Sequence, residues 1–516
     1  MEERYIASID LGTSKLGLCV ARVKGNDVQV VYYKETPSAG IRGSMVANPM
    51  KASAPLRQAI KEAEDELMIK ILQVVVGMPR SDVRQEPATG RIIRTNPDDY
   101  ITEEEVENLK AMALESYPLD DEANQIMYGA VAQSFSIDDQ IQQVESDVVG
   151  TLSTILEGNF KVFIGSRRAT TAVDKIFNSM GIAIAKKYFL PDVVAKTVLT
   201  EEDRQSGVAL VDIGAGVTSV AIYQGGIMRS YVAIPFGGKT ITGDIRTECS
   251  ISEDLAEKIK LKFGACMPGK LASLSEKVLQ IRLTEPYKEV TVKYISEVID
   301  ARCREIINAV LYYIQESGLE NNLRGGIVLT GGGASLVNFA NLFKEMSGYE
   351  VRIGYPKHLF SASVGTGVYN PSAAAAIGMV LAAKDDRMPD CVTRPEPVWA
   401  DAPEAEEAGE TVEEAETVEE ETPFYVPDSS FENGTQGTLI PEEEYETVTP
   451  TEEKPEKPKK VKKEKVKKEP NPNRPAIRWF KGIKSKVIDG VLDLYDEMTR
   501  EEDDKPADDN KKKEEE

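Results

Sequence analysis

A single histidine, His358, stands in 516 residues, and the five cysteines (Cys19, Cys249, Cys266, Cys303, Cys391) form no Cys-x-x-Cys pair. That scarcity argues against a zinc site or a Cys–His nucleophile and fits a reducing compartment. Long apolar runs are missing too: none reaches the roughly 20 residues of a membrane span. No apolar leader precedes the first strand, which starts close to Met1, so the chain is expected to be cytoplasmic. Cations are absent from residues 401–446, which carry many Asp and Glu and no Lys or Arg. Much of the formal net charge of −24 is therefore local, and the folded part is far less acidic than the average. Taken whole, that charge argues against a nucleic-acid partner.

With 41% hydrophobic residues and repeated strand–helix alternation, the chain is long enough for two or more domains. The stretch VALVDIGAGVTSVAIY, from Val208, interrupts β-branched text with Asp212 and a turn of Gly214, Ala215 and Gly216. It reads as a tight hairpin. A carboxylate between buried strands is costly without a partner or a task; capping its own turn would be the plain task. A second copy opens the chain: Tyr5–Ile9 runs into Asp10, Leu11, Gly12, Thr13, Ser14 and Lys15, then returns as Leu16–Val20. Two such units some two hundred residues apart are expected of a duplicated domain. Their turns can offer backbone N–H groups to phosphate oxygens, and Asp10 and Asp212 can each hold a water of a hydrated magnesium ion. The two carboxylates are expected to face each other across one nucleotide.

Two further stretches bear on the same site. GGIVLTGGGASL is a strand over 327–329 that breaks at Gly331, Gly332 and Gly333, with a helix start at Ser335. Such a loop lets backbone approach a flat base or an α-phosphate closely, unless it is a plain strand-to-helix turn. SEDLAEKIKLKFG begins on a Ser252 cap and sets Glu257 and Lys260 three apart, which by pattern alone is a solvated face.

From 389 to 475 the text turns rich in Pro, Glu, Thr and Lys and cannot bury enough surface to fold, so a disordered linker is expected, acidic first and then Lys-rich. A linker of about ninety residues has a root-mean-square reach of roughly 50 Å. Residues 476–500 repeat apolar side chains at helical spacing, among them Ile477, Phe480, Ile483 and Val487. Trp479 and Phe480 sit among Arg474, Arg478, Lys481, Lys484 and Lys486, the mixture expected of a helix lying in an anionic membrane interface. Docking on a partner protein or back on its own domain is the alternative. Residues 501–516 read as a charged, disordered tail.

The order of Asp10–Gly17, Asp212–Ser219 and Leu329–Leu336 resembles the two phosphate motifs and the adenosine motif of the actin, Hsp70 and sugar-kinase superfamily. PDVVAKTVL from Pro191 and SAAAAIGMV from Ser372 resemble its hinge segments. Within it, GIRGSMV, VLTEEDRQSGVALVDIGAG, IPFGGKTITGDI and SEVIDARCREI are similar to the FtsA family of bacterial cell-division proteins, over residues 1 to about 388 and the C-terminal tip. The resemblance implies an α/β, actin-like (ribonuclease H-like) pair of duplicated domains. The first lobe would span 1–85 and 166–200, with an inserted subdomain at 86–165. The second would span 201–371 with an outer subdomain at about 238–325, and a return helix would cover 372–388.

The resemblance further implies ATP and Mg2+ as ligands, with Glu257 and Lys260 beside the ribose or base. A helix face carrying Arg302 and Glu305 would take the acidic C-terminal peptide of FtsZ. Self-assembly into filaments, contacts with other division proteins, and a peripheral place on the cytoplasmic face of the cell membrane at the septum are implied as well. Leu190 stands where hydrolysing relatives place a water-orienting Glu, so weak or no ATPase activity is expected. A metabolite kinase or an Hsp70-like chaperone of the same fold is the alternative; a kinase would have no use for a tethered amphipathic helix, and the chaperone would carry a folded peptide-binding domain where a disordered linker is expected here.

Overall fold

The strand Val208–Ile213 is buried at every position, and Thr218–Gln224 at all but its last. Strands that read as unbroken apolar text belong in the middle of a sheet covered on both faces. A computed structural model of the chain describes residues 3–393, apart from 139, 143, 273–275, 282–287, 357–358 and 364, together with 445–448.

Two sheets are built on one plan. In the first lobe Glu3–Leu11, Lys15–Lys24 and Asp27–Pro37 form an antiparallel meander, and Gln73–Gly77 then Ala183–Tyr188 add in parallel on the free side of Glu3–Leu11. In the second lobe Val208–Ile213, Thr218–Gln224 and Ile227–Ile234 form the meander, and Ile327–Thr330 then Val351–Ile353 add in parallel. The duplication expected from the two Asp-Gly hairpins is therefore a duplication of whole sheets. The fold is the actin-like one that the resemblance implied.

The helices Leu190–Val198 and Ala374–Asp385 cross between the lobes, and their side chains join strand residues of both sheets in one apolar core. Every residue from Ala374 to Ala383 is buried. A Cβ placed on Gly378 would lie 2.3 Å from the Val193 carbonyl oxygen and 2.6 Å from Thr197 Oγ1, so only glycine permits the crossing.

A separate four-stranded antiparallel sheet spans Arg84–Ile93, Gln125–Ile137, Gln140–Gln142 and Ile155–Ser166. The helix Glu103–Glu115, opened by a Thr102/Glu105 capping box, covers it over its own core of Leu109, Phe135, Leu156 and Phe160. In the second lobe the helices Gly238–Cys249, Glu253–Phe263 and Val292–Glu316 pack together beside a small sheet.

The linker expectation needs two corrections. The fold runs past 388: the Cys391 N–H bonds the Tyr5 carbonyl at 2.8 Å, and Val392–Thr393 pairs antiparallel with Lys70–Ile71. Cys391 is buried, and a buried backbone must find partners. Tyr445–Val448, placed in the linker by composition, is a strand on the edge of Val278–Ile281. The expected helix at 476–500, with Ile477, Trp479, Phe480, Ile483 and Val487, lies outside the described residues, as does the 501–516 tail. Among the described residues no helix is long and apolar enough to cross a membrane.

Candidate functional site

Parallel strands deliver their C-terminal ends to one edge, and both Asp-Gly turns leave their sheets at such an edge. Asp10 pairs with Gly17 across the first hairpin and Asp212 with Ser219 across the second. The turns meet: a Cβ on Gly216 would lie 2.8 Å from Thr13 Oγ1. Thr13 is fixed in turn by the Ser44 N–H, which donates to its hydroxyl at 3.0 Å, and by the Ser38 hydroxyl, which donates to its carbonyl at 2.8 Å.

Between the carboxylates lies a residue that the sequence reading missed. Arg80 Nη1 is 2.5 Å from Asp212 Oδ2, and its Nη2 is 3.7 Å from Asp10 Oδ1. The side chains of Arg80, Asp212 and Asp10 are 12%, 9% and 20% exposed, so water screens this triad little. Burial pushes the Asp10 carboxyl up; Arg80 pulls it back down, and the negative charge of Asp212 pushes it up again. No periodic signal marks Arg80, and its place follows from strand pairing. Gln73–Gly77 runs parallel to Glu3–Leu11, so the residues that follow Gly77 emerge beside Asp10.

The adenosine-motif glycines close the floor. Gly331 adopts φ +80°, and a Cβ there would sit 2.3 Å from Asp212 Oδ1; one on Gly333 would sit 2.4 Å from Ile213 Cγ2. At Gly332 such a Cβ would meet only Ser372 Cβ, at 4.0 Å, an ordinary van der Waals contact over the short 3-10 turn Gly332–Ser335. The Gly331 N–H donates to the Pro371 carbonyl at 3.3 Å, tying this loop to the entry of the helix Ala374–Asp385.

The carbonyls of the second turn are already used. Gly214 and Ala215 accept from the N–H groups of Gly238 and Lys239 at 2.9 and 2.7 Å, at the start of the helix Gly238–Cys249. Lys15 is half-exposed and pairs with Glu35 at 2.8 Å, on the rim. Burial pushes the Glu35 carboxyl up, yet hydrogen bonds from Lys15 and Ser372 hold it below the ordinary range.

Glu257 and Lys260 are not the solvated face that their spacing suggests. Lys260 Nζ donates to Glu257 at 2.7 Å, to Thr242 Oγ1 at 2.8 Å and to the Gly238 carbonyl at 2.9 Å, so it is bound to the same glycine that caps the second turn. Burial lowers its pKa and Glu257 raises it in part. Just past this helix, the Cys266 N–H donates to the Val337 carbonyl at 2.8 Å, beside the adenosine-motif loop. Both residues thus stand with the cleft elements.

Arg302 and Glu305 lie apart from these turns, on the helix Val292–Glu316. Arg302 holds Asp244 through two hydrogen bonds of 2.6 and 2.9 Å and Glu305 through one of 2.6 Å. Its guanidinium is committed within the chain. Leu190 is buried where a water-orienting carboxylate was expected to be missing, with its methyl groups against Gly77.

The donor set suits a nucleotide and a hydrated magnesium ion. Asp10 and Asp212 would hold the ion through water, and the N–H groups around Gly12, Thr13, Ser14, Ala215 and Gly216 would receive phosphate oxygens, that of Gly214 already donating to the Val217 carbonyl at 2.9 Å.

A family model described as "Cell division protein FtsA" matches residues 209–378. The chain is 30% identical over 384 residues to the cell division protein FtsA of Borreliella burgdorferi, covering 74% of this chain and 91% of that relative. It is 24% identical over 396 residues to that of Escherichia coli K12, covering 75% and 92%. Among solved structures, the PilM–PilN type IV pilus biogenesis complex is similar with a TM-score of 0.53 at 17% identity, covering 73% of this chain and 98% of that one. That likeness shows the fold alone.

Proposed function

The chain belongs to the FtsA family of cell-division proteins, and on that premise we propose that it binds Mg-ATP between its two lobes, polymerises, and ties FtsZ to the cytoplasmic face of the membrane at the septum. The observation that carries the nucleotide part is the meeting of Asp10 and Asp212, one from each duplicated hairpin, on a single buried guanidinium. One guanidinium leaves two carboxylates at low dielectric one positive charge short, and magnesium with a polyphosphate answers that need. The facing turns of Thr13 and Gly216 support the same reading, with the nucleoside taken by the loop of Gly331, Gly332, Gly333 and Ser335.

Hydrolysis is weak or absent in this reading. Leu190 offers no lone pair to a water, and phosphoryl transfer to water depends on orienting the attacking oxygen. The nucleotide then acts as a structural ligand whose binding joins the lobes.

The finer partner assignments rest on the family and on the sequence pattern. Recruitment of later division proteins follows from membership. An acidic FtsZ peptide would dock on the Arg302 face by competing with Asp244, and the basic-aromatic pattern at 476–500 would supply the membrane contact.

Calorimetry of Asp212→Ala tests the site. The expected result is a loss of magnesium-dependent ATP affinity of roughly tenfold or more, the scale of one charge-assisted contact. Affinity equal to that of the unsubstituted chain, with the same magnesium dependence, would overturn it.

A further inference from the structure

Arg80 has ties beyond its two carboxylates. It lies on the short connection between Gln73–Gly77 of the first lobe and Arg84–Ile93, the first strand of the inserted sheet. Its carbonyl accepts from the Tyr231 hydroxyl of the second lobe at 2.9 Å, and its N–H donates to Ser44 Oγ at 3.3 Å. Ser44 in turn holds Thr13 of the first turn. A few residues on, Gln85 bonds the second lobe twice, accepting from the Tyr231 N–H at 3.0 Å and donating to Ser230 Oγ at 3.3 Å.

We propose that the Arg80 guanidinium is a built-in counter-ion of the cleft, held between Asp10 and Asp212 and released when a hydrated divalent cation with its nucleotide takes those carboxylates, so that cation exchange moves residues 78–85 and the edge of the inserted sheet. This rests on the nucleotide reading above.

The charges support exchange rather than coexistence. One guanidinium leaves the two carboxylates with a residual negative charge, whereas a divalent cation neutralises them fully. An Arg in contact with both would be repelled by the incoming ion at low dielectric. Exchange costs a charge-assisted hydrogen bond of 2.5 Å to Asp212, so the cleft opposes the cation until nucleotide arrives with it. The freed side chain must turn, and its backbone is bonded to both lobes, so the turn is felt at Tyr231 and Gln85. The inserted subdomain thereby senses whether the cleft is loaded.

The test uses the full chain with Arg80→Gln, Arg80→Lys and a fluorescent ATP analogue, with and without a magnesium chelator. Arg80→Gln should bind the magnesium form roughly tenfold tighter and the metal-free form more weakly, a reversal of sign expected of a competing cation alone. The nucleotide-free variant should melt below the unsubstituted chain and be restored by magnesium and nucleotide. Hydrogen exchange over residues 78–93 should rise on loading in the unsubstituted chain, and be already high and unresponsive in Arg80→Gln. Arg80→Lys keeps the charge without the two-headed reach and should fall between; it carries the comparison where the Gln variant does not fold. Weaker binding of the magnesium form by Arg80→Gln would make Arg80 a phosphate ligand and overturn the proposal alone. So would exchange over 78–93 that ignores nucleotide. No binding by the unsubstituted chain would remove the nucleotide reading and this proposal with it.

Discussion

Arg302 is held within the chain, and the proposed docking of an acidic peptide would ask the same guanidinium to change partners. Its bidentate hold on Asp244 joins the helices Gly238–Cys249 and Val292–Glu316, and its side chain is only 22% exposed. Arg302→Glu should lower thermal stability, by about 1–3 kcal/mol for a partly buried charge-assisted pair, and abolish binding of an acidic FtsZ peptide. The swap Arg302→Glu with Asp244→Arg should restore the melting temperature by re-forming the pair, but move the cation from one helix to the other. Peptide binding that returns with stability, measured by fluorescence anisotropy, would mean that the pair and not the Arg302 position matters. Asp10 and Asp212 were legible in the sequence because a carboxylate inside β-branched text is conspicuous. Arg80 was not, since an arginine in a loop carries no periodic signal and its partners lie 70 and 132 positions away along the chain.

At the scale of elements, the crossing of Leu190–Val198 with Ala374–Asp385 is where the two lobes share a core. Gly378→Ala would press a methyl group against the Val193 carbonyl and Thr197, and overpacking of this kind costs about 1–3 kcal/mol. Thermal unfolding should show that loss, together with weaker nucleotide binding as the lobes shift; a melting temperature within error of the unsubstituted chain would refute the tight crossing. Both helices were anticipated only through the resemblance of PDVVAKTVL and SAAAAIGMV to hinge segments. The partners of Glu257 and Lys260 were not, because Thr242 and Gly238 come from the preceding helix and only packing sets them alongside. The inserted sheet came from family resemblance alone, since the burial of its long strand Gln125–Ile137 alternates only weakly. The end of the fold was misplaced for a related reason: Cys391 and Val392 are two apolar residues in polar text, and their partners Tyr5 and Ile71 are more than three hundred positions distant.

For the molecule as a whole, one amphipathic helix with mixed flanking charge binds a membrane weakly, about as one lipid chain does, so firm attachment needs many copies acting together. Binding to anionic liposomes should rise steeply with protein concentration and with ATP, and Trp479→Glu with Phe480→Glu should abolish it while ATP binding persists. Co-sedimentation that is linear in protein and indifferent to nucleotide would break the coupling between filament and tether. The way the chain leaves its fold sets how such a tether would bear load. Beyond Thr393 the chain departs from a two-residue ladder on Lys70–Ile71, backed by the Cys391 carbonyl accepting from Leu72 and Gln73 and by Asp390 accepting from the Tyr5 N–H at 3.1 Å. All of these anchors belong to the first lobe. A pull on the C-terminal segment would nevertheless meet Tyr445–Val448 first, on the Val278–Ile281 edge in the second lobe, and reach the first-lobe ladder only once that strand has come away. Both attachments are short edge ladders, one on each lobe, so they would peel in turn before the six- and five-stranded sheets deform.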